Sequence, residues 1–433
     1  MRHAFGAALS LAVLLPAGAL AAESQPPMAR SGRAAAAAQR GATGYWPSST
    51  CGGCHPRTLD QQLQSHHERS FTNPVFQAQY FEMILPRASR EPELASEARS
   101  CTACHAPVAF ANAWGTATRA MVTDPSMSGV TCDLCHTIRG VEGQEPINGN
   151  FLSSPSEVKF GPLKGSDNAH HSFSPIQSRS ELCGTCHEAT NHHGVRVKTT
   201  YTEWLQSQSA KDGVQCQDCH MTRDGLVRAA AIGSEGFVRY THRFPGAHSQ
   251  TQVEGALRLG IEPAYTRGGA RRLSFEVTVD NRKTGHKMPT GSTDLRLLWL
   301  DVTARAGDRV LPVPAGGAAL GVAGQSKDDA RILGKDVAAG SRIYRAIFID
   351  GAGKQTLQSW DAVKIAFDNR LPAGAIVKEP YTLELPKDVR GQVKIEAKLR
   401  YLAYPSSLAG LMDLTAAPVV DVATAAADLT AGP

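Results

Sequence analysis

The chain has 433 residues, room for two or three domains. Its 45 basic and 40 acidic residues leave a formal charge of +5, too balanced to argue for nucleic acid as a partner. All 10 cysteines fall in one repeated pattern, so none is left for the structural disulfides usual in exported proteins.

At the N-terminus, Met1-Arg2-His3 is a short basic region, Phe5 to Leu20 is apolar, and Ala19-Leu20-Ala21 fits a small-x-small cleavage site. Residues 1–21 therefore read as a cleaved secretion signal. No later run of about 18 apolar residues follows. The mature chain is expected to have no integral membrane span and to be periplasmic, or exported beyond the inner membrane of a bacterium. Residues 22–49, rich in Ala, Gly, Pro and Ser, read as a flexible leader.

Residues 50–250 hold the repeated pattern. Cys51-Gly52-Gly53-Cys54-His55 recurs as Cys101-Thr102-Ala103-Cys104-His105, Cys132-Asp133-Leu134-Cys135-His136, Cys183-Gly184-Thr185-Cys186-His187 and Cys216-Gln217-Asp218-Cys219-His220. C-x-x-C-H reads as covalent c-type haem attachment. The two thiols add across the haem vinyl groups, and the two-residue gap puts both sulfurs at one porphyrin edge. The adjacent histidine then reaches the iron. A single C-x-x-C is more often a zinc half-site or a redox dithiol. Neither needs a histidine after the second cysteine in five copies out of five. The expected cofactors are five covalently bound haem c groups, with His55, His105, His136, His187 and His220 as proximal iron ligands. Their propionates add about ten negative charges. Arg57, Arg99, Arg139 and Arg179 are candidates to pair with them.

Roughly 40 residues per haem cannot build an ordinary core around each. The porphyrins are expected to fill the interior between short helices and loops. Helices are expected over Thr58 to Ser70 and Thr202 to Ala210, with Pro and Gly clusters breaking the rest into turns. Beyond Gly255 to Gly269 the pattern turns strand-like. Leu273 to Val279 and Val393 to Leu399 alternate with period 2, and Leu295 to Val302 and Ile343 to Ile349 are apolar runs of strand length. About seven strands over residues 262–412 suggest an antiparallel β-sandwich of immunoglobulin-like size. Residues 413–433, rich in alanine, read as a disordered tail. The fold class is α + β multidomain: a haem-filled, short-helix domain followed by the sandwich.

What faces each iron opposite the proximal histidine decides the function. A second histidine makes an electron carrier; an open face admits a substrate. Removing His3 and the five motif histidines from 15 leaves nine. Six of these nine form the adjacent pairs His66/His67, His170/His171 and His192/His193; His242, His248 and His286 stand alone. Neighbouring helical residues point about 100° apart, so one of each pair is expected to bind iron. His286 sits in a Gly- and Pro-punctuated loop between two expected strands, from which it could reach a haem and lock the domains together. Met288 is an alternative ligand there. The distal candidates are His67, His170, His242, His248 and His286.

The segment Cys51 to Pro56, followed by Ser65-His66-His67 and Asn73-Pro74, resembles the opening of exported multihaem cytochromes related to the tetrahaem cytochrome c of ammonia oxidisers. Gly129-Val130-Thr131-Cys132, Glu181 to His187, Gly213 to Met221, Thr200-Tyr201-x-Glu203-Trp204 and His242 to Gly246 are similar to it too. The Gly285 to Gly291 loop is similar to that of exported multihaem cytochromes with a C-terminal β-domain. The resemblance implies that the Ser-x-His after the first motif supplies a distal ligand, which favours His67 over His66. Four motifs there against five here mean that haem order cannot be copied. One haem of that relative lacks a distal protein ligand.

The leading expectation is an exported pentahaem cytochrome, an electron carrier rather than a catalyst. Its partners would be other redox proteins, either cytochromes or a membrane quinol-linked oxidoreductase; its oligomeric state is not legible. The alternative is an oxidoreductase with one open haem acting on nitrite, hydroxylamine or sulfite. A third reading makes the β-domain an adhesion or assembly module.

Overall fold

In the computed structural model, residues 43–112, 116–127, 129–164, 171–226, 238–264, 271–314 and 319–430 are described. The expected signal segment 1–21 and His170 lie outside them. The first half is built of short helices and small two-stranded pairings. The helices that bear on the cysteine motifs and the site are α1 (Ser48–Gly52), α2 (Pro56–Leu63), α3 (Pro92–His105), α4 (Cys132–Cys135), α5 (Ser180–His187), α6 (Thr200–Leu205) and α7 (Cys216–His220). Proline at the first turn of α2 and α3 presets φ where no N–H partner is lost. Thr131 caps α4, its hydroxyl accepting the Leu134 N–H at 3.2 Å.

Two helices are shorter than the sequence suggested. The helix expected over Thr58 to Ser70 stops at Leu63, where Ser65 N–H bonds Gln62 O and Ser70 N–H bonds His67 O in successive turns. Those turns leave His66 exposed and carry His67 inward. The helix expected over Thr202 to Ala210 breaks after Leu205, and the Ser207 hydroxyl caps a separate turn, Gln208–Lys211.

The leader is ordered from residue 43, a correction to the expected flexible 22–49. Tyr45 is only 1% exposed, and its hydroxyl lies 3.1 Å from Ser153 Oγ. An aromatic side chain of that size contributes burial energy that an Ala/Gly/Ser stretch lacks. Tyr45 joins an apolar cluster with Phe71, Phe76, Tyr80, Ile84, Leu94 and Phe151.

The second half contains β1 (Arg258–Pro263), β2 (Arg272–Asp280), β3 (Leu297–Ala306), β4 (Arg309–Leu311), β5 (Arg342–Tyr344), β6 (Ala346–Asp350), β7 (Gln355–Thr356), β8 (Ala362–Asp368), β9 (Ile376–Glu384), β10 (Gln392–Leu402) and β11 (Val420–Thr430). The first strand thus precedes the expected start at 262. One antiparallel sheet runs β9-β2-β1, a second β4-β3-β10-β11 with β5 also on β3, and a third β7-β6-β8. Phe275, Val277 and Val279 of the first sheet share a core with Leu298, Leu300, Ile395, Ala397 and Leu399 of the second. The run Ile343 to Ile349 is split at Arg345, whose guanidinium turns inward to Asp329 at 2.8 and 3.0 Å.

The tail also corrects the expectation. Val420–Thr430 pairs with β10 from Gln392↔Thr430 to Tyr401↔Val420, and Val422 and Leu429 enter the shared core. Alanine-rich composition carries little strand signal by itself. Pairing with a neighbour already in place satisfies its backbone groups.

The halves are joined by side chains. Arg87 binds Asp361 through two 2.9 Å contacts, Asn191 Nδ2 donates to Ser359 O and Ala362 O, and Trp360 packs into the aromatic cluster of the first half.

Candidate haem-binding site

In every motif the two cysteines are three residues apart on or beside a helical turn, which puts both sulfurs on one face. All ten cysteines are free thiols. The motifs abut one another. The thiol of Cys51 lies beside that of Cys132, Cys104 beside Cys186, and Cys183 beside Cys216. Gln177 Nε2 donates to Cys135 O at 3.1 Å just ahead of α5, linking the third motif to the fourth. The sites therefore run first, third, fourth, with the second and fifth both against the fourth. Cys54 and Cys219 are exposed and the other eight cysteines are partly buried.

Two of these junctions share a device. The backbone N–H of Cys132 donates to Ser48 Oγ at 3.2 Å, and that of Cys216 donates to Ser180 Oγ at 3.0 Å. Each serine lies three residues before the first cysteine of its own motif. The spacing S-x-x-C-x-x-C-H, answered downstream by G-V-x-C, was visible in the sequence as an internal repeat.

The motif histidines are held for metal binding. Nδ1 of His105, His136 and His220 donates to the carbonyls of Ser70 (2.9 Å), Phe160 (2.7 Å) and Pro245 (2.7 Å). A carbonyl only accepts, so the proton sits on Nδ1 and the Nε2 lone pair is left for iron.

Three of them face a second imidazole. Ring centres are 6.1 Å apart for His187 and His67, 6.1 Å for His136 and His242, and 6.2 Å for His220 and His286. Two metal–nitrogen bonds of about 2 Å, plus about 1.1 Å from each nitrogen to its ring centre, sum to roughly 6.2 Å. The spacing fits one iron between each pair. Burial pushes His67 down to about 4 and His187 to about 3, and also lowers His136 and His286. Those rings are neutral near pH 7, the form that ligates metal.

The second motif differs. His105 stacks on Phe76 at 4.0 Å and 5°; among the described residues no histidine ring stands opposite it at the iron-bridging distance. His248 lines the same cavity as His105 but stacks on His66 at 4.5 Å, too close for a metal between them. His55 belongs to the first motif. His171 lies on a short strand, His171–Phe173, paired with Lys159–Gly161.

The cavity at the second motif measures about 190 Å³, opens to solvent, and is lined by Phe76, Cys101, Cys104, His105, Lys198, His248, Asp294, Arg296 and Trp360. Buried Arg296 Nε and Trp360 Nε1 have no hydrogen-bond acceptor. Unpaired buried donors beside a thiol pair suit a haem carboxylate. Of the arginines singled out from sequence, Arg179 pairs with Glu181 and Arg99 lies over Phe110. Arg296 and Trp360 were not foreseen, because they arrive from the far half of the chain.

Residues 50–137 match a family model described as Cytochrome c554 and c-prime. No curated protein matches the chain. Among solved structures, a penta-heme cytochrome c552 from Thermochromatium tepidum is similar at a TM-score of 0.64 and 21% identity, over 89% of this chain and 100% of that one. At that identity the likeness shows the fold. The partial N-terminal region of an enterococcal surface protein (12% identity, 40% of this chain, 42% of that chain) and AvmM, which catalyses macrocyclization in alchivemycin A biosynthesis (11%, 40%, 90%), align at TM-scores of 0.17 and carry no argument. The matched segment, the fold and the motifs support a multihaem c-type cytochrome with covalently bound haem, a class whose work is electron transfer. No helix among the described residues is long and apolar enough to cross a membrane.

Proposed function

We propose that the chain is an exported pentahaem cytochrome carrying electrons along closely spaced, mostly bis-histidine haems. The observation that carries this is the set of three imidazole pairs at 6.1–6.2 Å, each with one ring from a C-x-x-C-H motif. On this reading His187 and His67, His136 and His242, and His220 and His286 are axial pairs. His170 stays a proposed distal ligand outside the described residues, with no haem assigned to it. Kinship with the tetrahaem cytochrome c of ammonia oxidisers, and an immunoglobulin-like form for the C-terminal sheets, belong to the same proposal.

Bound in these sites, haem supplies one-electron redox chemistry. The chain sets the rest. Its thiols hold each macrocycle edge, its paired imidazoles set the axial field, and motif-to-motif contact keeps the sites adjacent. Exposed Cys54 and Cys219, in the first and fifth motifs, mark two of the three ends of the branched array as the places for a redox partner, either a cytochrome or a quinol-linked membrane oxidoreductase.

A second reading is favoured by one observation. His105 stacks on Phe76 beside a cavity lined by Lys198, His248, Asp294 and Arg296, and among the described residues no imidazole stands opposite it at the iron-bridging distance. An open iron face there would make the protein an oxidoreductase for nitrite, hydroxylamine or sulfite. The deciding experiment is an EPR spectrum of the oxidised holoprotein with haem counted in parallel. Five haems, all low-spin, support the carrier. A high-spin signal of about one haem in five supports the open site. Fewer than five haems, or mostly high-spin iron, overturns both.

A further inference from the structure

We propose that Glu203 is a positioning residue for His286, clamping the loop that presents this imidazole to the fifth motif; the inference rests on His286 being an axial ligand there. His286 lies in an irregular stretch between β2 and β3. Asn281 Nδ2 and the Thr284 hydroxyl hold the His286 carbonyl at 3.1 and 2.9 Å, but the residues that follow need their own anchor, and a ligand must be held within about 0.5 Å of its productive position.

The clamp comes from α6 in the other half of the chain. Glu203 Oε2 accepts the Lys287 backbone N–H at 3.2 Å and the Thr290 hydroxyl at 2.7 Å. Oε1 accepts Arg370 Nη1 at 2.6 Å and the Thr199 hydroxyl at 2.7 Å. Arg370 Nη1 also donates to Pro289 O at 3.3 Å, and Met288 exchanges backbone hydrogen bonds with Leu371. His286 Nδ1 donates to Lys287 O at 2.9 Å, so the residue whose N–H is held by Glu203 also orients the ring.

The Glu203 and Arg370 side chains are each 4% exposed. Burying two charges is costly, and well-packed apolar residues often do as well for stability. What an apolar pair cannot do is accept the Lys287 N–H and the Thr290 hydroxyl from one fixed point. The arrangement favours placement over glue.

The test uses the full holoprotein, with haem counted for each variant and spin state read by EPR. His286→Ala is the reference and should convert about one haem in five to high spin. Glu203→Gln should convert a smaller share of that same haem, and added imidazole should restore low spin. The double variant Glu203→Gln/Arg370→Gln removes both charges of the pair, leaves Asp368, the other partner of Arg370, bound to Lys287 Nζ at 2.9 Å, and should behave alike. Thr290→Val, which deletes only one hydroxyl, should show the effect more weakly. Arg87→Ala breaks a different contact between the halves, to Asp361, and should leave the spectrum unchanged. If His286→Ala leaves every haem low-spin, the axial reading itself fails. If His286→Ala acts but the Glu203 and Thr290 variants stay fully low-spin, the clamp is overturned and the ligand stands. If Arg87→Ala matches Glu203→Gln, Glu203 is only interface packing and the positioning role is overturned.

Discussion

His67 faces His187 with ring centres 6.1 Å apart and planes inclined by 58°. The turn that delivers His67 is packed against Gly129, where an added Cβ would stand 2.4 Å from the His67 carbonyl oxygen. The neighbouring His66 is exposed and stacks on His248 instead. His67→Ala should therefore turn the fourth-motif haem high-spin, while His66→Ala leaves its spectrum unchanged. Equal effects of the two variants, read by EPR on holoprotein, would contradict the assignment.

The fourth motif touches three others. Replacing Cys183 and Cys186 by alanine should cost more than one haem per chain, because sites two and five lose the surface they pack on. Replacing Cys51 and Cys54 should cost about one, since the first motif lies at an end of the array. Intact-mass measurement of haems per chain compares the two variants; equal losses would count against the motif order derived from the cysteine contacts.

Asp294 is enclosed beside Lys198 and Arg296. Burial pushes its carboxyl up to about 6, against an ordinary value of 3.8, with the two cations opposing. Between pH 4 and 6 the folded chain keeps a proton that the unfolded chain releases. The contribution to stability is whole below the unfolded pKa and is lost as pH rises through the folded one, a change of about 3 kcal/mol. Asp294→Asn should remove that slope. Denaturation midpoints between pH 4 and 7 test it, and a wild-type minus variant difference that does not change with pH would refute it.

A chain ending at residue 412 lacks β11. It loses Val422 and Leu429, 2% and 7% exposed, and uncovers the edge of β10. Each buried side chain contributes about 1.5–3 kcal/mol, and a bare edge invites pairing between chains. The truncated protein should melt at a lower temperature and scatter more light on heating. An unchanged melting temperature would mean that β11 adds nothing to the sheet.

Some of this was legible from particular residues. The period-2 alternation of Leu273 to Val279 and Val393 to Leu399 marked β2 and β10, because a strand with one buried face records burial in its own sequence. The alanines of Val420–Thr430 and the stretch around Tyr45 carried no such record. Their order comes from partners far along the chain: Gln392 to Tyr401 for the strand, and Phe71, Phe151 and Ser153 for the tyrosine. Glu203 and Arg370 stand 167 residues apart, and nothing in either neighbourhood marks them as one ion pair.

The attachment chemistry is written in the residues themselves, since two thiols and an imidazole within five residues act on one macrocycle edge whatever surrounds them. Which second imidazole stands opposite His136, His187 and His220 is set by the fold alone. A facing pair such as His220 and His286 is spaced by packing between distant segments, and to that spacing local residue patterns are blind.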